Sequence, residues 1–104
     1  MIGGAILSLN SFRDEARRFM QLTSSSGDNT DKLLGWLDEE FELLKQSKEN
    51  PKAFQHQVYD MLFLLFNIAA KDDMDLDMEW AEGRERKKKY LPDSASSIIE
   101  FNKN

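Results

Sequence analysis

The chain alternates between apolar positions spaced three and four apart and short polar breaks, which is helical periodicity and nowhere the period of a strand. Four helices are predicted. The first opens near Asn10-Ser11, with Ser11 as its cap and Asp14 three positions on, and carries Phe12, Ala16 and Phe19 on one face. The polar run from Thr23 to Asn29 reads as a loop. Thr30-Asp31 opens a second helix whose apolar stripe is Leu33, Leu37, Phe41 and Leu44, with Leu34 alongside. Asn50-Pro51 places a capping side chain before a proline at the first helical position, and the third helix then runs to about Lys71. Asp75 caps a fourth helix with Met78, Trp80 and Ala81 on its apolar side, ended near Tyr90-Leu91 by Pro92. The expected fold is all-α, a four-helix-bundle-like domain over residues 1–92, followed by a loose Ser- and Asn-rich tail over 93–104 in which Ile98, Ile99 and Phe101 could dock.

One polar position breaks the pattern of the third helix. From Val58 to Ala70 the sequence is apolar almost all round except at Asp60 and Asn67. A helix apolar on every side is expected inside a bundle, where an ionised carboxylate is costly unless a cation or donors compensate it. Asp60 and Asn67 lie two turns apart on one stripe, and Gln57 shares that face one turn earlier. On the second helix Asp38, Glu39 and Glu42 are spaced i, i+3 and i, i+4, so their like charges project from one side at the edge of the apolar stripe. If the two helices pack antiparallel, these carboxylates face Asp60. An oxygen-only set around a hard cation describes a magnesium or manganese site. The plainer alternatives are a solvated acidic face on the second helix and an Asp60 paired with Lys or Arg.

Length, charge and composition narrow the classes. A chain of 104 residues supports one core. A net charge of −5 argues against nucleic-acid binding, which normally rests on a basic surface. The absence of cysteine removes thiolate chemistry and Cys-based zinc sites, and suits a reducing cytoplasm. The apolar opening Met1 to Leu7 lacks the basic region of a secretory signal. The run around Asp60 is shorter than the ~20 residues a bilayer needs, so no membrane role is expected.

The two acidic motifs together carry a resemblance. Asp38-Glu39-Glu40-Phe41-Glu42, a spacer, then Gln57-Val58-Tyr59-Asp60 followed by an apolar run with Asn67 seven residues after the aspartate, resembles the MazG-like all-α nucleoside triphosphate pyrophosphohydrolases. The likeness covers roughly Thr30 to Tyr90 and includes the basic end Arg84-Glu85-Arg86-Lys87-Lys88-Lys89-Tyr90. It implies Mg²⁺-dependent hydrolysis of a nucleoside triphosphate to monophosphate and pyrophosphate, a house-cleaning role in the nucleotide pool, and a helical bundle assembled as a homodimer or homotetramer. It also implies Glu39, Glu42 and Asp60 as metal ligands, Asp38 as an additional acid, and Glu39 or Glu42 as the base. Asp38 stands where the family has Glu, and Gln57 replaces an ionised Glu, so one charge is missing. An Asn of the family's last helix is not evident near Glu82-Gly83.

The remaining candidates follow from that chemistry. Arg84 and Lys87, one turn apart, could contact phosphate, although cations at a helix C-terminus are favoured by the macrodipole in any case. Trp36, one turn before Glu39, and Trp80 could stack on a base or serve a core or interface. His56 could substitute as a ligand or lie exposed. A di-iron bundle is disfavoured because no Glu-x-x-His pair exists. Two other functions stay open: a nucleotide-binding regulatory relative of reduced activity, and a helical dimerisation module.

Overall fold

The computed structural model describes residues 7–23 and 29–92. They form four α-helices and no strand, as the periodicity predicts. The expectations for Met1 to Ile6, for most of the loop after Thr23 and for the tail from Asp93 lie outside the described residues. No helix among the described residues is long and apolar enough to cross a membrane. The chain divides into two units, residues 1–74 and 75–104.

The first unit holds α1 (Leu9–Leu22), α2 (Thr30–Gln46) and α3 (Pro51–Lys71). Each begins on a side chain that satisfies an otherwise orphaned backbone N–H, a contribution of about 1 kcal/mol per helix. Helix α1 starts earlier than its sequence suggests. Ser8 is the cap, accepting from the Ser11 N–H at 3.1 Å, while the Ser11 hydroxyl accepts from the Ser8 N–H at 2.9 Å. Ser11 is thus the reciprocal member of a capping box, and Asp14 takes no part in it. Asn29 caps α2 by accepting from Lys32 N–H at 2.8 Å. Asn50 and Pro51 start α3 as their types require, with Asn50 accepting from Ala53 N–H at 3.1 Å.

Helix α3 is central. The four residues between α2 and α3 permit only an antiparallel hairpin, and positions equidistant from that turn meet. Leu33 and Leu64 are such a pair, and both are buried. Among the described residues Leu33 is the most enclosed side chain, 1% exposed, worth about 2 kcal/mol in burial. Helix α1 packs antiparallel on α3 through Phe12 on Phe66 (6.1 Å between ring centroids) and Phe19 edge-on to Phe63 (5.4 Å).

Helix α3 ends in a Schellman motif. The Met74 N–H reaches the Ala69 carbonyl at 3.0 Å, and the Asp73 N–H reaches that of Ala70 at 3.3 Å. The position that favours glycine is taken by Asp73 at φ +50°, a conformation aspartate tolerates better than most residues. Two arginines of α1 hold it there. Arg17 Nη2 pairs with the Asp73 carboxylate at 2.6 Å, and Arg13 Nη1 donates to the Met74 carbonyl at 2.6 Å. The Arg17 hydrogen bond and charge hold the Asp73 carboxyl below the ordinary 3.8.

The second unit contains α4 (Leu76–Lys87), capped by Asp75 through the Met78 N–H at 3.0 Å, and a 3₁₀ turn at Lys88–Tyr90 ahead of Pro92. Its expected apolar residues Met78, Trp80 and Ala81 are exposed.

One expectation about α3 is corrected. It is not buried on every side: only Leu64, Asn67 and Ala69 are enclosed, and Asp60 is exposed. Helices α1 and α2 cover only part of its circumference and leave Asp60 exposed, so its carboxylate pays no burial cost.

Candidate functional site

The hairpin register decides which polar groups of α2 and α3 can meet. Glu40 and Gln57 are equidistant from the turn. The Gln57 amide donates to the Glu40 carboxylate and also to the Glu40 carbonyl at 3.1 Å. Both side chains are half-buried. One turn further along α3, Asp60 faces the middle of α2, which bears Trp36 and Glu39. Between them opens a cleft of about 370 Å³, lined by Trp36, Glu39, Glu40, Asp60, Phe63 and Leu64. Three carboxylates and an indole therefore share one concavity, walled on its inner side by Phe63 and Leu64. Glu39 and Asp60 are exposed, so both are hydrated and open to a ligand. Trp36 is half-buried, with the Lys32 ammonium 5.5 Å from its ring centroid.

Asp38, Glu42, Gln57 and Asn67, also expected in the site, are not among the residues lining this cleft. Asp38 and Glu42 are exposed. Glu42 is paired with Lys45, one turn later on the same helix, at 2.7 Å. Asn67 is buried, 5% exposed, and its amide donates to the Phe63 carbonyl at 2.9 Å, bonding its own helix. Gln57 reaches the site only through Glu40. Arg84 and Lys87 belong to the second unit, on α4, where Arg84 is half-buried and Lys87 exposed. His56 is exposed near the start of α3, and Trp80 is exposed on α4.

The residue that sequence reasoning passed over is Glu40. It stands in the first acidic motif with no role assigned to it, yet it lines the cleft and accepts from the Gln57 amide. Its signal was the register: a turn placed between Gln46 and Pro51 puts positions 40 and 57 opposite each other. Phe63 was likewise hidden among apolar neighbours.

The cleft's donors are all carboxylate oxygens, the chemistry of a hard divalent cation. Among the described residues no three His, Asp or Glu side chains gather as a ready-made metal cage. The arrangement suits Mg²⁺ that keeps several waters and arrives with phosphate oxygens, since such an ion needs only one or two protein carboxylates. Glu39 and Asp60 line the cleft from the two helices that flank it.

A second concavity lies on the α1 side of α3. It has a volume of about 240 Å³ and is lined by Phe12, Glu15, Ala16, Tyr59, Leu62, Phe63 and Phe66. Phe63 borders both clefts.

Comparison with known proteins gives no match to a family model, to a curated protein or to a solved structure.

Proposed function

We propose that this chain is a Mg²⁺-dependent nucleoside triphosphate pyrophosphohydrolase of the MazG-like kind, cleaving a ribo- or deoxyribonucleotide to its monophosphate and pyrophosphate. The observation that supports it is the placement of Glu39 and Asp60, from two separate motifs, on facing walls of one open cleft. Mg²⁺, or Mn²⁺ in its place, would be held there by Glu39 and Asp60, and when bound supplies charge neutralisation on the phosphoryl oxygens. The rest of the reading concerns the chain's own groups. Glu40, fixed by Gln57, presents a carboxylate at the same cleft, where it can orient a water and accept its proton. Glu39 is the second acceptor at that position. Glu42, tied to Lys45, is less suited to the role than Glu39. Phe63 and Leu64 keep one side of the cleft dry, which strengthens each polar contact within it. A nucleotide-pool role in the cytoplasm and assembly as a homodimer or homotetramer belong to the same proposal.

A regulatory relative of reduced activity is the second reading, favoured by one observation. Gln57 neutralises nothing, and it occupies Glu40 by donating to it. Pyrophosphate release from a panel of ribo- and deoxyribonucleoside triphosphates, with and without Mg²⁺, separates the two. Turnover supports the enzyme; nucleotide binding without turnover, in both wild type and Gln57→Glu, removes it.

A further inference from the structure

We propose that the aromatic cleft between α1 and α3 holds the heterocyclic base of the nucleotide, and that Glu15 selects bases carrying an exocyclic amino group. This rests on the reading that the neighbouring carboxylate cleft takes the phosphates, because it names the other end of the same substrate.

Phe12, Tyr59, Phe63 and Phe66 supply four rings around a space of 240 Å³. That is smaller than pockets that enclose whole drug-sized ligands, and it matches a fragment of such a molecule. Aromatic rings stack on the π face of any base. Tyr59 is 60% exposed, with its ring tilted against Phe63 at 6.2 Å between centroids. The two clefts share a wall: Phe63 lines both, and the consecutive residues Tyr59 and Asp60 line one each. The alternative platform is Trp36, but the Lys32 ammonium already lies 5.5 Å from its ring centroid.

Glu15 supplies the discrimination. It is the one carboxylate lining this cleft, and among the described residues it has no ion-pair partner. A carboxylate accepts hydrogen bonds and cannot donate them. Adenine, cytosine and guanine present amino N–H donors to it. Uracil and thymine present an imide N–H flanked by two carbonyl oxygens, which the same charge repels. Hypoxanthine, with a carbonyl where adenine has its amino group, is disfavoured for the same reason.

The test uses nucleosides, without phosphate or Mg²⁺, so that it does not depend on catalysis. Cytidine, adenosine, guanosine, uridine and inosine are titrated to millimolar concentration against the full chain, reading the aromatic ¹H–¹³C resonances of Tyr59 and Phe66. Those rings are expected to shift, with the amino-bearing nucleosides binding roughly tenfold tighter than uridine or inosine. Tyr59→Ala should weaken every nucleoside by about tenfold. Glu15→Leu should bring the amino-bearing nucleosides down to the uridine level. Both positions are exposed, and Glu15→Gln provides a milder variant if Glu15→Leu lowers the melting temperature. No shift at Tyr59 or Phe66 with any nucleoside overturns the base site. Equal binding of uridine and cytidine overturns the role of Glu15, as does a preference that survives Glu15→Leu. Nucleoside binding at these rings without pyrophosphate release would remove the hydrolase and keep the base site. Mg²⁺-dependent release with the rings unmoved would do the reverse.

Discussion

Replacing Gln57 by Glu probes the contact that distinguishes this cleft. In the native chain the Gln57 amide donates to the Glu40 carboxylate and carbonyl across the α2–α3 interface. Gln57→Glu removes both donations and sets two carboxylates against each other. A hydrogen bond to a charged group is worth about 1.5–3 kcal/mol. Two unit charges ~4 Å apart repel by about 4 kcal/mol at an effective dielectric of ~20. Both residues are half-buried, and rotation into solvent relieves most of that repulsion, leaving a net cost of about 2–3 kcal/mol. For a domain of this size each kcal/mol shifts Tm by about 4–8 °C, so a fall of roughly 10–20 °C is expected without divalent ions. Under the proposed metal site Mg²⁺ should reverse it, because the variant adds a negative charge beside the carboxylate cleft. An excess of ~100-fold over Kd recovers about 2.7 kcal/mol. Thermal unfolding by circular dichroism, with EDTA and then with Mg²⁺, reads both effects. The reasoning is refuted if Gln57→Glu melts with wild type in EDTA. It also fails if Mg²⁺ raises the two melting temperatures equally.

Three further outcomes follow from the same contacts. Leu33→Ala, at the most enclosed position, should cost about 2–5 kcal/mol in urea unfolding, with an unchanged m-value if the fold is retained. Asp73→Asn keeps a residue that tolerates φ +50° but removes the charge paired with Arg17. Because the folded carboxyl lies below 3.8, its contribution is complete above that value and is lost as pH falls through the lowered one. The stability gap between wild type and Asp73→Asn should therefore be constant at neutral pH and close only in strong acid, as pH-dependent melts will show. Asn67→Ala removes a buried bond to Phe63, so it should lower stability by about 1 kcal/mol while kcat/KM changes less than twofold; a large kinetic loss would restore Asn67 to the substrate.

The local features were legible because they depend on near neighbours. Asn50-Pro51 and Asp75 start their helices as the sequence requires, and Lys71 ends α3. At α1 the reading stopped at Ser11 because Ser8 and Ser11 cap each other, and either alone looks sufficient. What periodicity does not encode is how many helices surround a given one. The apolar circumference of α3 suggested burial of Asp60, yet helices α1 and α2 pack on two flanks and leave Asp60 in water. The acidic motif was legible as a group but not in its internal division. Glu39 and Glu40 turn toward α3, whereas Glu42 finds Lys45 on its own helix. The latch of Arg13 and Arg17 on the end of α3 links residues some sixty positions apart, which no local pattern announces.

The central claim is that Glu39 and Asp60 hold Mg²⁺ for cleavage between the α- and β-phosphates. Phosphorus NMR of nucleoside triphosphates incubated with the chain and Mg²⁺ tests it most directly, because it identifies the product as well as the turnover. The account predicts pyrophosphate and nucleoside monophosphate, formed only with Mg²⁺ or Mn²⁺ and abolished in Asp60→Asn, whose exposed side chain can change without loss of fold. Orthophosphate as the product, or pyrophosphate formed undiminished by Asp60→Asn, would contradict it.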